Sequence, residues 1–188
     1  MNSVINNMLE NKYFIYTIGA IQGIYQDPEK NNVLINWREE IKQWVEKEKL
    51  PFVILDPLVM EKLKTGHDAK VMHEKLEGWK RSGHWELYDG CGLKIWYGTP
   101  ECWGDYTCVV NSDFIIGYGD NDYISPGTHK ELGVAEFLRR PVYWVTKDNI
   151  SDMKDSTLWG VRLSGGKVFP NFNQLKQFLL EKYNLKIK

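Results

Sequence analysis

Glu131 is the carboxylate whose sequence setting invites a chemical reading. It closes Thr128-His129-Lys130-Glu131, directly after Ser125-Pro126-Gly127. Proline and glycine there open a helix whose apolar positions Leu132, Val134, Ala135 and Leu138 fall roughly on one face. Thr-x-x-Glu at such a start fits a capping box, in which the Thr128 hydroxyl and the Glu131 carboxylate satisfy each other's orphan amides. The helix dipole would also hold that carboxylate ionised, which suits a nucleophile and suits a general acid badly. Asp113 opens a short apolar run, where it either contacts a ligand or caps local backbone. His67, Asp68 and His73 suggest metal only superficially, because their spacing puts the two histidines on different helix faces; a solvated helix and no metal site are expected. His129 is expected to face solvent. Gly117 and Gly119 open no helix as a dinucleotide fingerprint must.

The elements that must position Glu131 run from Asn111 to Val145. Asp113 to Gly117 reads as a strand, Pro126 onward as a helix, and Val142 to Val145 as a second strand after Pro141. Strands joined through a helix of that length form a right-handed crossover in a parallel sheet. Ligands collect there at the carboxyl ends of strands and the amino ends of helices. Upstream, residues 2–11 read as a short, weakly helical arm, and Tyr13 to Ile18 as the first strand, stopped by Gly19. Val33, Leu34, Trp37, Ile41, Trp44 and Val45 keep helical spacing over Asn32 to Lys49. Phe52 to Leu55 is a second strand ending at Asp56-Pro57, Ala69 to Lys80 a helix, and Asp105 to Val110 another. His84 to Tyr97 reads as an aromatic hairpin turning at Asp89-Gly90. Leu158 to Leu163 reads as a strand, followed by a Ser-Gly-Gly turn and a last helix from Asn171 to about Tyr183. The order defines one α/β domain of three layers with a mainly parallel sheet and an aromatic-rich insertion at about 58–103.

Composition bounds the partners. The chain has 188 residues, with 24 Lys and Arg against 25 Asp and Glu and a formal net charge of −1. No basic excess exists to drive nucleic-acid binding, so an anion must be held locally. The longest apolar runs, such as Phe52 to Leu55, are too short to span a bilayer. The opening MNSVINNMLENK lacks a basic region and a long apolar core, and Cys91, Cys102 and Cys108 form no metal-spaced pair. A cytoplasmic protein with reduced thiols is the expectation.

A longer constellation surrounds Glu131. The first strand ends Tyr16-Thr17-Ile18-Gly19-Ala20-Ile21-Gln22-Gly23, a helix contains Trp37-Arg38, and the next strand ends Asp56-Pro57. Asp105 precedes Asp113 by eight residues, and Ser125 to Ala135 completes the set. Over Tyr13–Gly23, Val33–Pro57 and Asp105–Val145 this resembles the nucleoside 2-deoxyribosyltransferase superfamily, with patterns close to I-Y-x-x-G-x-I and G-x-x-x-E-x-G-x-A. The resemblance implies a flavodoxin-like α/β/α fold that cleaves the N-glycosidic bond of a nucleoside or nucleotide. Glu131 would be the nucleophile at C1′, Tyr16 its positioning tyrosine and Asp105 the acid serving the departing base, a two-carboxylate logic like that of glycoside hydrolysis. Ser125 stands where the transferase branch has an aspartate and the nucleoside 5′-monophosphate N-glycosidase branch has a phosphate-binding serine. The chain therefore resembles the second branch more. Ala20 and Gln22 depart from it, standing where it has serine and arginine. The Gly19, Ala20, Ile21, Gln22, Gly23 loop, Asp113, Ser125 and Gly127 form the implied substrate-binding set. The resemblance further implies a homo-oligomer, with Asp155 and Ser156 near the place of a contact between subunits, and no metal or organic cofactor. The implied reaction is hydrolysis of a (deoxy)nucleoside 5′-monophosphate; the alternatives are base exchange by a 2-deoxyribosyltransferase and a non-catalytic nucleotide-binding module. The Trp85–Trp103 segment is packing, a subunit contact, or a lid stacking on a base.

Overall fold

The computed structural model describes residues 12–19, 28–119 and 124–186, with the backbone alone for 28–36. The expected arm at 2–11 and loop residues Ala20, Ile21, Gln22 and Gly23 lie outside these. Five strands form one parallel sheet: β1 (Tyr13–Gly19), β2 (Phe52–Leu55), β5 (Phe114–Tyr118), β6 (Val142–Val145) and β7 (Lys167–Phe169). Their spatial order is β2-β1-β5-β6-β7. Counted among themselves in chain order, these strands run 2-1-3-4-5, the flavodoxin-like doubly wound arrangement. The fold is α/β, with helices on both faces of the sheet.

Alternation along β1 assigns each face. Ile15 packs on one side with Trp37, Ile41 and Val45 of α1 (Pro28–Lys47) and with Leu175 and Leu179 near the chain end. Tyr16 and Ile18 pack on the other with Cys108, Leu132, Ala135 and Val161. A one-residue slip would exchange the faces, but Tyr16 is held opposite Ile115 of β5 and Leu55 of β2 by the parallel ladders. On β5, Gly117 leaves room for the Trp144 ring of β6; a Cβ there would collide with it, and the Trp144 indole N–H donates to the Gly119 carbonyl at 3.1 Å. Packing accounts for this glycine.

Between β2 and β5 the chain inserts α2 (Pro57–Thr65), α3 (Ala69–Ser82), α4 (Trp85–Tyr97) and a short hairpin, β3 (Gly98–Thr99) with β4 (Cys102–Trp103). α5 (Asp105–Asn111) then leads into β5. The expected hairpin over His84 to Tyr97 is instead α4. Tyr88, Cys91, Gly92, Ile95 and Trp96 are its sheltered positions, at the spacing of one helical face. Asp89 and Gly90, the expected turn, lie on its solvent side. Gly83 in the left-handed conformation (φ 73°) ends α3 and redirects the chain into α4.

α6 (Pro126–Leu138) follows β5, and α7 (Asp155–Leu163) follows β6. The run Leu158–Leu163 is therefore helical and the strand lies after the turn, at β7. Thr157, Gly160, Val161 and Ser164 are the buried positions at this helix and its C-cap, so a polar-interrupted helical face prevails over a local apolar run. α8 (Phe172–Lys182) ends the fold, capped by the Asn171 side chain on Gln174 N. Among the described residues, no helix is long and apolar enough to cross a membrane.

Candidate active site

The strand order reverses between β1 and β5, which opens a crevice at their carboxyl ends where doubly wound folds bind ligands. Tyr16 is fully buried on β1 and turned toward α6. Its hydroxyl donates to Glu131 Oε1 at 2.6 Å, joining residues 115 apart in sequence. Glu131 is only 7% exposed.

The capping box is absent. Ser125, not Thr128, caps α6: its Oγ accepts from Thr128 N at 3.2 Å and lies 3.0 Å from Thr128 Oγ1. The helix thus begins one turn earlier than the box requires, leaving Glu131 to turn inward. Nor does the helix dipole keep Glu131 ionised. The residue lies beyond the first turn, where the dipole fades. Burial first, and then the charge of Asp105, push its pKa up to about 8; the Tyr16 hydrogen bond, Arg38 and Lys64 oppose the rise.

Asp105 begins α5. Its own pKa is raised by burial, against the pull of Lys64 and the Tyr16 hydroxyl. Tyr16, crowded by both carboxyls, is raised well above the ordinary tyrosine range, chiefly by burial. The two carboxyls therefore interact and titrate as a unit. Together they hold what acid–base chemistry needs: a carboxylate able to attack, and a neutral carboxyl able to give a proton.

A cavity of about 450 Å³ opens in front of them, within the range of small-molecule sites. Glu131, Asp105, Gly19, Ser125 and Gly127 line it, while Tyr16 stands behind Glu131. Asp113 does not line it. Its Oδ2 accepts from Phe14 N at 2.7 Å at the amino end of β1, so it takes the backbone-capping alternative.

The insertion, whose Trp85–Trp103 segment was read from sequence as packing, a subunit contact or a lid, supplies most of the opposite wall. Glu61 of α2, Tyr88 and Trp96 of α4 and Lys130 of α6 all face the cavity. Burial and the charge of Asp105 lift Glu61 to about 7. Behind the wall, Lys64 Nζ lies 2.9 Å from Asp105 Oδ1. A helical reading of Tyr88, Cys91, Gly92, Ile95 and Trp96 would have turned α4 toward the site. Trp96 meets Tyr106 at 4.8 Å between ring centroids and carries the Lys130 ammonium 4.9 Å from its own centroid, so it serves packing and cavity wall together.

Among the described residues, no group of three His, Cys, Asp or Glu side chains is placed to hold a metal ion. Asp68 instead caps α3 through Val71 N, and His67 Nε2 lies 2.7 Å from Lys75 Nζ. His129 is half-buried between the Ser125 carbonyl and Ser156 Oγ, at 3.3 and 3.2 Å, where open solvent was expected; Ser156 is thereby engaged within its own chain.

Fold and site together define a flavodoxin-like α/β protein with a buried glutamate and a partly buried aspartate at the switch point of its sheet. The sequence matches no protein-family model and no curated protein. Among solved structures, the chain is similar to the CMP N-glycosidase BcmB of Clostridium botulinum, with a TM-score of 0.45 and 10% identity over 88% of this chain and 97% of that one.

Proposed function

We propose that this protein cleaves the N-glycosidic bond of a (deoxy)nucleoside 5′-monophosphate. The observation that carries this reading is the 2.6 Å bond from Tyr16 to Glu131, buried beside Asp105 at one cavity wall. The pair reacts in the form that carries its proton on Asp105, although burial and the Asp105 charge favour the proton on Glu131: ionised Glu131 attacks C1′ as the C1′–N bond breaks, and Asp105 gives the proton to the departing base. The glycosyl–Glu131 ester is then opened by water, whose proton returns to Asp105, restoring both groups. Tyr16 fixes the attacking oxygen by donating to its neighbour on the same carboxylate. Ser125, Gly127 and the Gly19–Gly23 loop hold the phosphate at the 5′ end, and no metal or organic cofactor takes part. A homo-oligomer is part of the same proposal.

One observation favours a second reading, base exchange through the same intermediate. Glu131 is only 7% exposed, which limits the approach of water to an ester there. A non-catalytic nucleotide binder has no use for two mutually opposed carboxyls.

Chromatography of free bases separates the three readings. Nucleosides and their 5′-monophosphates are incubated with the protein, each with and without a second base. Base released from monophosphates alone is the expected result. A new nucleoside formed only with acceptor base selects transfer. Binding without release from any substrate rejects both enzymatic readings.

A further inference from the structure

Lys64 has no part in the mechanism as written, yet it is an enclosed charge at the site. Its side chain is 0% exposed. Nζ donates to Asp105 Oδ1 and to the Ile95 carbonyl of α4, both at 2.9 Å. A lysine is almost never fully buried without a partner, and here the partner is the residue assigned as acid. The cation acts on groups from four elements: Glu61 on its own helix, Cys91 on α4, Asp105 and Cys108 on α5, and Glu131 on α6. It acts on Glu61, Asp105 and Glu131 alike, favouring the charged form of each, whereas Arg38 of α1 bears on Glu131. Lys64 also joins three pieces of chain: it lies on α2, holds the last turn of α4 through Ile95, and grips the first residue of α5.

We propose that Lys64 is a positioning residue: its ammonium fixes the Asp105 carboxyl at the cavity wall and supplies the counter-charge that lets Asp105 and Glu131 ionise in turn. The role rests on the assignment of those two residues as acid and nucleophile. By this account the insertion is part of the catalytic apparatus, because it carries the charge that sets the working pH of a carboxyl pair borne by the sheet's own helices.

The test reads the pair directly, by carbon-13 NMR titration of the Asp105 and Glu131 carboxyls, alongside base release across pH. Lys64→Met should move both midpoints upward by about one unit or more, since an adjacent opposite charge holds a carboxyl down by that order. Base release at pH 7 should then fall about 10-fold and recover as pH rises toward 9. Lys64→Arg, which keeps the charge, should leave the midpoints near those of the parent. The double variant Lys64→Met/Asp105→Asn should be more stable than Lys64→Met, because removing the lysine alone strands a partly buried carboxyl; this holds even if Lys64→Met does not fold. Unchanged midpoints in folded Lys64→Met, a loss of rate with no recovery at high pH, or a double variant no more stable than the single one would each overturn the proposal. The titration and stability arms are read whether or not any nucleotide is turned over. A parent protein that releases no base therefore rejects the glycosidase reading and still leaves Lys64 judged.

Discussion

The two faces of the sheet are built from alternate residues of the same strands, yet their physical chemistry is opposed. On the α1/α8 face, Phe114 lies 5.7 Å from Phe52, 5.3 Å from Tyr143 and 5.1 Å from Tyr183, ring centroid to centroid. Trp37 stacks on Phe172 at 5.8 Å. Such contacts add about 0.5–1.5 kcal/mol per pair beyond the area they bury. The α5–α7 face holds Tyr16 and Glu131, buried, and Asp105, partly buried, with Lys64 beside them. Burying carboxyls costs free energy unless they are neutralised or paired, and here the cost appears as raised pKa values. One face stabilises the fold, and the other holds ionisable groups against their solvation preference.

Substitutions should separate the two faces. The largest effect is expected for Glu131→Gln, which should lower turnover by at least about 10³-fold while the fold persists, since a nucleophile has no substitute in its own site. The same variant should be more stable than the parent at high pH. The Glu131 carboxyl titrates near 8 in the folded protein against an ordinary 4.5. Its contribution to stability is therefore present below the lower value and lost as pH rises to the higher. Thermal unfolding measured between pH 5 and 8 should show that decline in the parent and a flatter profile in the variant. Next comes Phe114→Ala on the opposite face, with a loss of about 3–5 kcal/mol in urea unfolding and no change in the Glu131 titration. Asp105→Asn should slow base release by about 10²-fold, most for bases that leave poorly. Tyr16→Phe should be mildest, at about 10-fold, with the Glu131 midpoint moving further up because the lost hydrogen bond favours the ionised form.

Four of the five strands were legible in sequence because they are short β-branched and aromatic runs bounded by glycine or proline, and Phe52–Leu55 and Val142–Val145 fall where the pattern places them; β7 was not, because the apolar run before it folds as α7. That Tyr16, Asp105 and Glu131 come together was legible through motif spacing. Their protonation was not, because burial depends on how distant segments close over the site. The Thr128-to-Glu131 box misled because an earlier serine satisfies the same helix end. α4 was misread for a related reason: Asp89-Gly90 is a local turn signal, whereas its helical state is fixed by what Tyr88, Cys91 and Ile95 pack against. Lys64 carries no motif at all; its meaning comes from a contact with Asp105, 41 residues away.

The central claim is that Glu131 forms a bond to the sugar. Peptide mass spectrometry of the protein, acid-quenched during turnover of a nucleoside 5′-monophosphate, tests it most directly. A pentosyl-phosphate adduct on the peptide bearing Glu131, absent from Glu131→Gln, is the predicted result. Continued base release by Glu131→Gln, with no adduct on the parent, would contradict it.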